Sequence, residues 1–363
     1  MKVTRDARTW CEISFPALRH NLRTLRRTLP RGTRILAVVK DNAYGHGLIP
    51  VARTLAQAGC EEFGVACASE GVELRGAGIR QPILLLSSTL ASEFPLALQH
   101  RLTITLSSLE EARELARAAT RARIPALVQA KLDTGMNRLG ATASEFPALL
   151  SFIARQPQLA LVGTFTHLAC ADSDLSFTRR QLQRTSLLPK NLPHHWANTA
   201  ALLSCMPFSK THVRPGLGLY GIHPLGRPTP RLQPVLSWKS RVLLVRSVAR
   251  GETISYGASF RAPRKLRVAT VATGYAQGLP RTLSNRGHAL IQGRLCPILG
   301  RVTMDMTLLD VSRLPAVRRG DEVVWIGRSG RLTRTAADLA REAGTIPWEI
   351  FTRINPFLPH LSA

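Results

Sequence analysis

Lys40 ends an apolar run, Ile35-Leu36-Ala37-Val38-Val39, and is followed by Asp41-Asn42-Ala43-Tyr44-Gly45-His46-Gly47. Five apolar residues with β-branched members predict a buried strand, and the glycine- and asparagine-bearing stretch after it predicts a sharp exit. An amine at the carboxyl end of such a strand can be held partly desolvated, where it becomes a nucleophile towards an aldehyde. A lysine closing a strand is more often simply solvated, so a second feature has to carry the chemistry. Far along the chain, Gly216-Leu217-Gly218-Leu219-Tyr220-Gly221 matches the G-x-G-x-x-G dinucleotide pattern, but Pro224 and Gly226 follow where that pattern needs a helix. What is left is a turn whose backbone N–H groups can hold a phosphate. Thr199, Gly216 and Leu217 therefore form a phosphate-site candidate, and a lysine facing a phosphate cradle suits an aldehyde cofactor anchored by its phosphate.

To position these residues the chain must alternate strands and helices. After a predicted helix carrying Leu18, Leu22, Leu25 and Leu29 on one face, strands are predicted at 35–39, 63–66, 83–86, 102–106, 126–132, 159–166, 195–198 and around Val213, with mostly helical segments between. Eight strands is the count of a (β/α)8 TIM-type barrel, whose phosphate sites are typically built after strands seven and eight. From about Gln233 the pattern changes to strands at 241–248, 267–272, 288–291, 302–311 and 321–326, with one clear late helix at 335–343 closed by Gly344. The reading is a barrel over 12–232 and a mainly β C-terminal domain over 233–363. Residues 1–11 form a segment expected to pack with the second domain. Pro224, Pro228, Pro230 and Pro234 mark the connection.

The 363 residues are 45% hydrophobic, enough for a large core, and carry a formal net charge of +26. Such a charge favours anionic partners, yet the basic residues are scattered, with no basic run, no aromatic interleaving and no nucleic-acid motif to focus them. Cys11, Cys60, Cys67, Cys170, Cys205 and Cys296 form no C-x-x-C pair and suggest free thiols in a reducing cytoplasm. No stretch is long and apolar enough to span a bilayer, and no metal site is expected. The expectation is a cytoplasmic protein with a small-molecule partner, and with neither nucleic acid nor membrane.

Several motifs in order over nearly the whole chain resemble the alanine racemase family: residues 37–47 around Lys40, 131–140 (Lys-Leu-Asp-Thr-Gly-Met-Asn-Arg-Leu-Gly), 166–172 around His167, Ala197-Asn198-Thr199-Ala200, Val213-Arg214-Pro215-Gly216, Ser255-Tyr256-Gly257, Gly274-Tyr275-Ala276 and 300–305. The resemblance implies a pyridoxal 5'-phosphate enzyme. In it Lys40 joins the cofactor aldehyde, and Tyr44, Asn198, Thr199, Gly216, Leu217 and the position of Trp348 surround the phosphate. His167 lies against the ring, Arg214 faces the ring nitrogen, and Arg138 meets the phenolic oxygen. It further implies that Lys131 is a position carbamylated in many members, and that Arg138, Met304 and Tyr275 receive substrate. Lys40 and Tyr256 would serve as bases on opposite faces of the substrate, with Tyr256 and Met304 supplied by the partner subunit of a homodimer. Tyrosine is a weak base at neutral pH, so cations such as Arg138 or Arg281 would have to lie near Tyr256.

The implied activity is interconversion of L- and D-alanine for peptidoglycan. A serine or broad-specificity racemase is the alternative within the class, and a non-catalytic pyridoxal-phosphate carrier the alternative outside it. The chain departs from the family pattern at Gln277, Leu279, Thr303 and Trp348, the last standing where a tyrosine is usual, while the entry residues Asp172, Arg281, Arg301 and Ile346 are retained.

Overall fold

The computed structural model describes residues 7–204, 206–209, 211–227 and 231–363; Cys205, Pro228 and Pro230 of the sequence reading lie outside the described residues, as do residues 1–6. The first strand, β1 (Thr9–Ile13), is followed by a helix, Phe15–Arg27. Ser14 caps that helix, its hydroxyl accepting the Ala17 amide at 3.3 Å, and Leu18, Leu22 and Leu25 bury its apolar stripe.

The barrel consists of β2 (Arg34–Val38), β3 (Glu62–Val65), β4 (Ile83–Ser88), β5 (Thr103–Leu106), β6 (Ala126–Lys131), β7 (Leu159–Phe165), β8 (His194–His195) and β9 (His212–Val213). They pair in parallel in the order β8-β7-β6-β5-β4-β3-β2-β9, so β9 closes back on β2. The β8–β9 seam is held by one bridge between Asn198 and Arg214, by the Arg214 amide donating to the Ala197 carbonyl at 2.8 Å, and by the His194 amide on the Thr211 hydroxyl at 2.9 Å. Those bonds place Asn198 and Arg214 side by side at the carboxyl end of the barrel.

The second domain is a sheet built on the long strand β10 (Leu236–Val248). A short hairpin of β11 (Thr253–Ile254) and β12 (Phe260–Arg261) leads to β13 (Leu266–Val271), β14 (His288–Ile291), β15 (Arg294–Pro297), β16 (Thr307–Asp310), β17 (Glu322–Ser329), β18 (Leu332–Arg334) and β19 (His360–Ser362). The main path runs β15-β14-β17-β10-β1-β19, with β13 linking β10 to β16. Strand β1 pairs with β10 along its whole length, from Thr9↔Ser240 to Ile13↔Leu236, so the N-terminal strand crosses the 11/12 boundary read from the sequence and belongs to the C-terminal sheet through Ile13. Trp238 and Trp325 are fully buried beneath this sheet, ring centroids 6.2 Å apart.

Two expected strands are corrected and one helix is added. The strand expected at 302–311 is only Thr307–Asp310, because Val302–Met306 folds into a tight turn in which the Thr303 amide donates to the Met306 carbonyl at 3.0 Å. The strand expected at 195–198 stops at His195, since Asn198 already caps a short helix, its side-chain oxygen accepting the Ala201 amide at 3.0 Å. A second late helix, Pro347–Arg353, follows the expected one; it opens on Pro347, which suits the first helical position.

Candidate active site

Beyond β2 the chain does something no helix or hairpin does. Asp41, Asn42, Ala43 and Tyr44 all adopt left-handed dihedrals, with φ between 53° and 54°. Each such non-glycine residue costs about 1–2 kcal/mol relative to right-handed backbone, so the turn is over-determined by its surroundings. The Glu70 carboxylate accepts the Asp41 amide at 2.5 Å, Asn42 Oδ1 accepts the Leu48 amide at 2.8 Å, and His46 Nδ1 meets the Tyr44 carbonyl at 2.8 Å. His46 is buried between the Tyr220 and Phe351 rings, and that desolvation pushes it down to about 3, so it is a neutral, structural imidazole. The turn delivers Lys40 to the barrel mouth, half-exposed, with Nζ 3.2 Å from the Asp41 carboxylate.

The glycine turn after β9 packs against this segment. A Cβ placed on Gly216 would stand 2.5 Å from the Tyr44 hydroxyl oxygen, so only glycine lets the phenol lie there. The sequence reading offers the backbone N–H groups of this turn to a phosphate. The structure spends two of them otherwise: the Gly216 and Gly218 amides donate to Thr199 Oγ1, at 3.0 and 3.1 Å. With both lone pairs so engaged, the Thr199 hydroxyl is left as a donor, and the Leu217 amide has no partner among the described residues. Tyr44 Oη, Thr199 Oγ1 and the Leu217 amide thus converge as donors. Trp348 is half-buried in helix Pro347–Arg353, whose Phe351 carbonyl abuts Gly45 of the Lys40 turn.

Arg214 projects into the barrel, fully desolvated. Its guanidinium donates to the Thr166 carbonyl at 2.7 Å, lies 3.2 Å from His167 Nδ1, hydrogen-bonds His195 Nδ1, and sits over the Phe165 ring at 5.1 Å. Burial alone pushes it down to about 9, and among the described residues no carboxylate pairs with it. His195 stacks on Phe165, and its Nε2 meets Gln129 Oε1 at 2.9 Å. An amide oxygen can only accept, so Nε2 carries the proton and Nδ1 is free to accept from Arg214. Burial, then the charge of Arg214, holds both His167 and His195 well below the usual histidine range. Lys131 is buried over the Phe165 ring, 5.4 Å from its centroid; burial, then the charges of Arg214 and Arg138, push it down to about 8. Arg138 itself is exposed at the barrel mouth.

Tyr256, Tyr275 and Met304 stand elsewhere, on an exposed face of the second domain. The Tyr275 and Ala276 amides donate to the Thr303 and Met304 carbonyls at 3.0 and 2.9 Å, a clasp that leaves no room for a Cβ on Gly274. Ser255 Oγ donates to the Arg301 carbonyl at 2.7 Å, and the Arg301 guanidinium packs on Gly257, so Arg301 holds both residues that flank Tyr256. Tyr256 is 72% exposed and Met304 55%, and among the described residues no hydrogen bond or ion pair joins this cluster to Lys40. At the departure Gln277, the side-chain Oε1 accepts the Gly274 amide at 2.8 Å and braces the same clasp. Sequence reasoning missed Glu70, His195 and Gln129. Nothing in their local spacing marks them, because each acts across the fold, Glu70 on Asp41 at 29 positions' separation, His195 on Arg214 at 19 and Gln129 on His195 at 66.

Comparison with known proteins gives one answer. Two family models match, "Alanine racemase, N-terminal domain" over residues 13–224 and "Alanine racemase, C-terminal domain" over residues 235–361. The chain is 40% identical to the alanine racemase of Methylacidiphilum infernorum over 351 residues, 96% of this chain and 91% of that one. Its fold matches that of an alanine racemase from Clostridium difficile 630 with a TM-score of 0.92 at 31% identity, covering 98% and 96% of the two chains. A histidine racemase from Leuconostoc mesenteroides subsp. sake matches with a TM-score of 0.89 at 28% identity, covering 99% of each.

Proposed function

The chain belongs to the alanine racemase family of pyridoxal 5'-phosphate-dependent isomerases, and from that premise we propose that it interconverts L- and D-alanine by a two-base mechanism and supplies D-alanine for peptidoglycan. The observation that carries the reading is the grouping of Lys40, His167 and Arg214 at one end of the barrel, beside donors on Tyr44, Thr199 and Leu217. This set fits the cofactor. Glycine at 216 lets the Tyr44 phenol lie against the turn, and the donors gathered there, on Tyr44, Thr199 and Leu217, suit a dianionic phosphate. Arg214 presents an uncompensated guanidinium to an aromatic nitrogen, and His167, held neutral, gives a flat face for the ring. Bound there, the cofactor supplies an aldehyde for the substrate amine and a conjugated ring that takes up the electron pair released at Cα.

The chain's own groups then do the proton work. Lys40 Nζ takes or returns a proton on one face of Cα. On the other face the proposed group is Tyr256 Oη of the partner subunit, since Tyr256 in its own chain is exposed and unconnected to Lys40. Exposed Tyr256, Tyr275 and Met304 on one face support a homodimer in which each barrel mouth is capped by the other chain's second domain. Arg138 would steady the phenolic oxygen, and a carbamate on Lys131 would turn a buried cation among cations into an anion able to hold Arg138. No helix among the described residues is long and apolar enough to cross a membrane, and the five cysteines among the described residues are unpaired, which supports a reducing, cytoplasmic setting.

A broader amino-acid racemase is the second reading, favoured by the likeness to a histidine racemase and by Trp348 at the usual tyrosine position. Chiral assay of the cofactor-loaded protein against a panel of amino acids separates the two. The expected result is alanine racemised at least about ten-fold faster in kcat/KM than serine or histidine, a gap of about 1.4 kcal/mol. Absence of Cα hydrogen exchange with any amino acid would reject both.

A further inference from the structure

The second domain holds a concave cleft of about 740 Å³ that the racemase chemistry does not use. It opens where β15 splays away from β16 beyond a single bridge between Ile298 and Leu309. Its rim carries Arg264, Arg294, Arg313 and Arg331 against one acid, Asp310, and Leu295, Leu314 and Leu332 supply apolar wall. Asp310 is taken by Arg264, at 3.5 Å. Arg294, Arg313 and Arg331 are exposed, and their side chains make no hydrogen bond or ion pair among the described residues. Three unneutralised guanidiniums thus face one hollow.

The walls are built rather than incidental. Arg267 donates to the Leu314 and Val317 carbonyls, at 2.6 and 2.5 Å, and fixes the loop that presents Arg313. The Gly293 amide donates to Ser329 Oγ at 2.9 Å, tying the turn beside Arg294 to the turn beside Arg331. Loops anchored this way lose little entropy when a ligand binds.

We propose that this cleft binds a small multiply charged phosphate compound, an oligophosphate, through Arg294, Arg313 and Arg331. Guanidinium forks match phosphate oxygens two bonds at a time, and three of them balance three or four negative charges. The size suits a small ligand. The shape disfavours an added peptide strand, because Pro297 removes a donor from the outer edge of β15. The cleft is also closed at both ends, by the Ile298–Leu309 bridge and the Gly293–Gly330 turns, which disfavours a long nucleic acid. It gives part of the +26 charge a purpose the active site does not.

The test is calorimetric titration of the cofactor-loaded enzyme with sodium tripolyphosphate at low ionic strength, the loaded form being used so that the catalytic phosphate cradle is filled. One saturable site per chain is expected, weakened ~ten-fold or more in Arg294→Ala/Arg331→Ala, the loss of about 1.4 kcal/mol or more. Arg117→Ala/Arg121→Ala removes the same charge from an exposed helix face and is expected to bind as the parent does. If the first double variant does not fold, Arg313→Ala alone is expected to weaken binding. Absence of a saturable site overturns the proposal. So does equal weakening in both double variants, which would mean diffuse attraction. A short DNA duplex binding through these arginines while tripolyphosphate does not would overturn it in favour of a nucleic-acid surface.

Discussion

Glu70 holds the backbone of Asp41 from 29 residues away: one carboxylate oxygen accepts the Asp41 amide at 2.5 Å and the Asn42 amide at 3.4 Å, while the other accepts the Ala66 amide at 2.8 Å. A single acid therefore ties the end of β3 to a left-handed turn that would otherwise relax, and the turn aims Lys40. Glu70→Gln keeps one acceptor and loses the charge. The expected cost is about 1–2 kcal/mol from weakened charge-assisted bonds, or a few degrees in Tm, with looser cofactor binding because Lys40 and Tyr44 leave the turn from opposite ends. Thermal melting with and without cofactor checks this. A variant matching the parent in both melting temperature and cofactor affinity would show that the turn stands without Glu70.

Much of the barrel was legible because several of its strands are continuous apolar runs, as at 35–39 and 83–86, and because buried parallel strands carry that signature. Where the elements are short the signal fades. Strands β8 and β9 have two residues each, and their seam is closed by side chains and a bridge that no periodicity records. The site residues Lys40 and Arg214 were readable from motif context. Their partners were not, since Glu70, His195 and Gln129 become relevant only when the chain closes on itself. Trp348 is the opposite case: the sequence marks the departure, and the structure places it on the helix abutting the Lys40 turn.

Arg214 is expected to govern which reaction follows proton removal. A guanidinium that keeps its proton leaves the ring nitrogen as an acceptor only, which weakens the ring as an electron sink and favours return of the proton to Cα. Arg214→Glu should lower racemisation by about 10²–10³, the range for loss of a preorganised charged partner, and raise pyruvate formed by side transamination. Arg214→Lys, which retains the charge, should leave pyruvate low. Flat pyruvate in Arg214→Glu alongside falling racemisation would detach Arg214 from this choice.

Lys131 is expected to link activity to carbon dioxide. Burial, with Arg214 and Arg138 nearby, brings it to about 8 from the usual 10.5. Below pH 8 both folded and unfolded chains hold its proton, and the folded state carries the full penalty of a buried cation. Between about 8 and 10.5 only the unfolded chain is protonated, so this penalty is relieved as pH rises. The same neutral amine is the form that captures carbon dioxide. A carbon-13 carbamate resonance from labelled bicarbonate should therefore grow from pH 7 to 9 and be missing in Lys131→Ala. Stripping carbon dioxide should lower kcat/KM roughly ten-fold or more, the worth of one charge-assisted bond to Arg138 at about 1.5–3 kcal/mol. A resonance that persists in Lys131→Ala would place the carbamate elsewhere.

The proposed shared site rests on two placements: Lys40 lies at the barrel mouth, and Tyr256 stands exposed on the second domain, with no hydrogen bond or ion pair joining the two among the described residues. If each site joins Lys40 of one chain to Tyr256 of the other, the Lys40→Ala and Tyr256→Phe homodimers should each lose at least about 10³-fold in racemisation, since each lacks the acid or base on one face. A heterodimer of the two has one doubly defective site and one intact site. Subunit exchange between the inactive proteins should then restore activity, rising towards a quarter of the parent value: random mixing makes half the dimers heterodimers, and half of their sites are intact. Were Tyr256 to act within its own chain, every heterodimer site would keep one defect. Exchange shown complete by native mass spectrometry, with activity still absent, would decide for that arrangement.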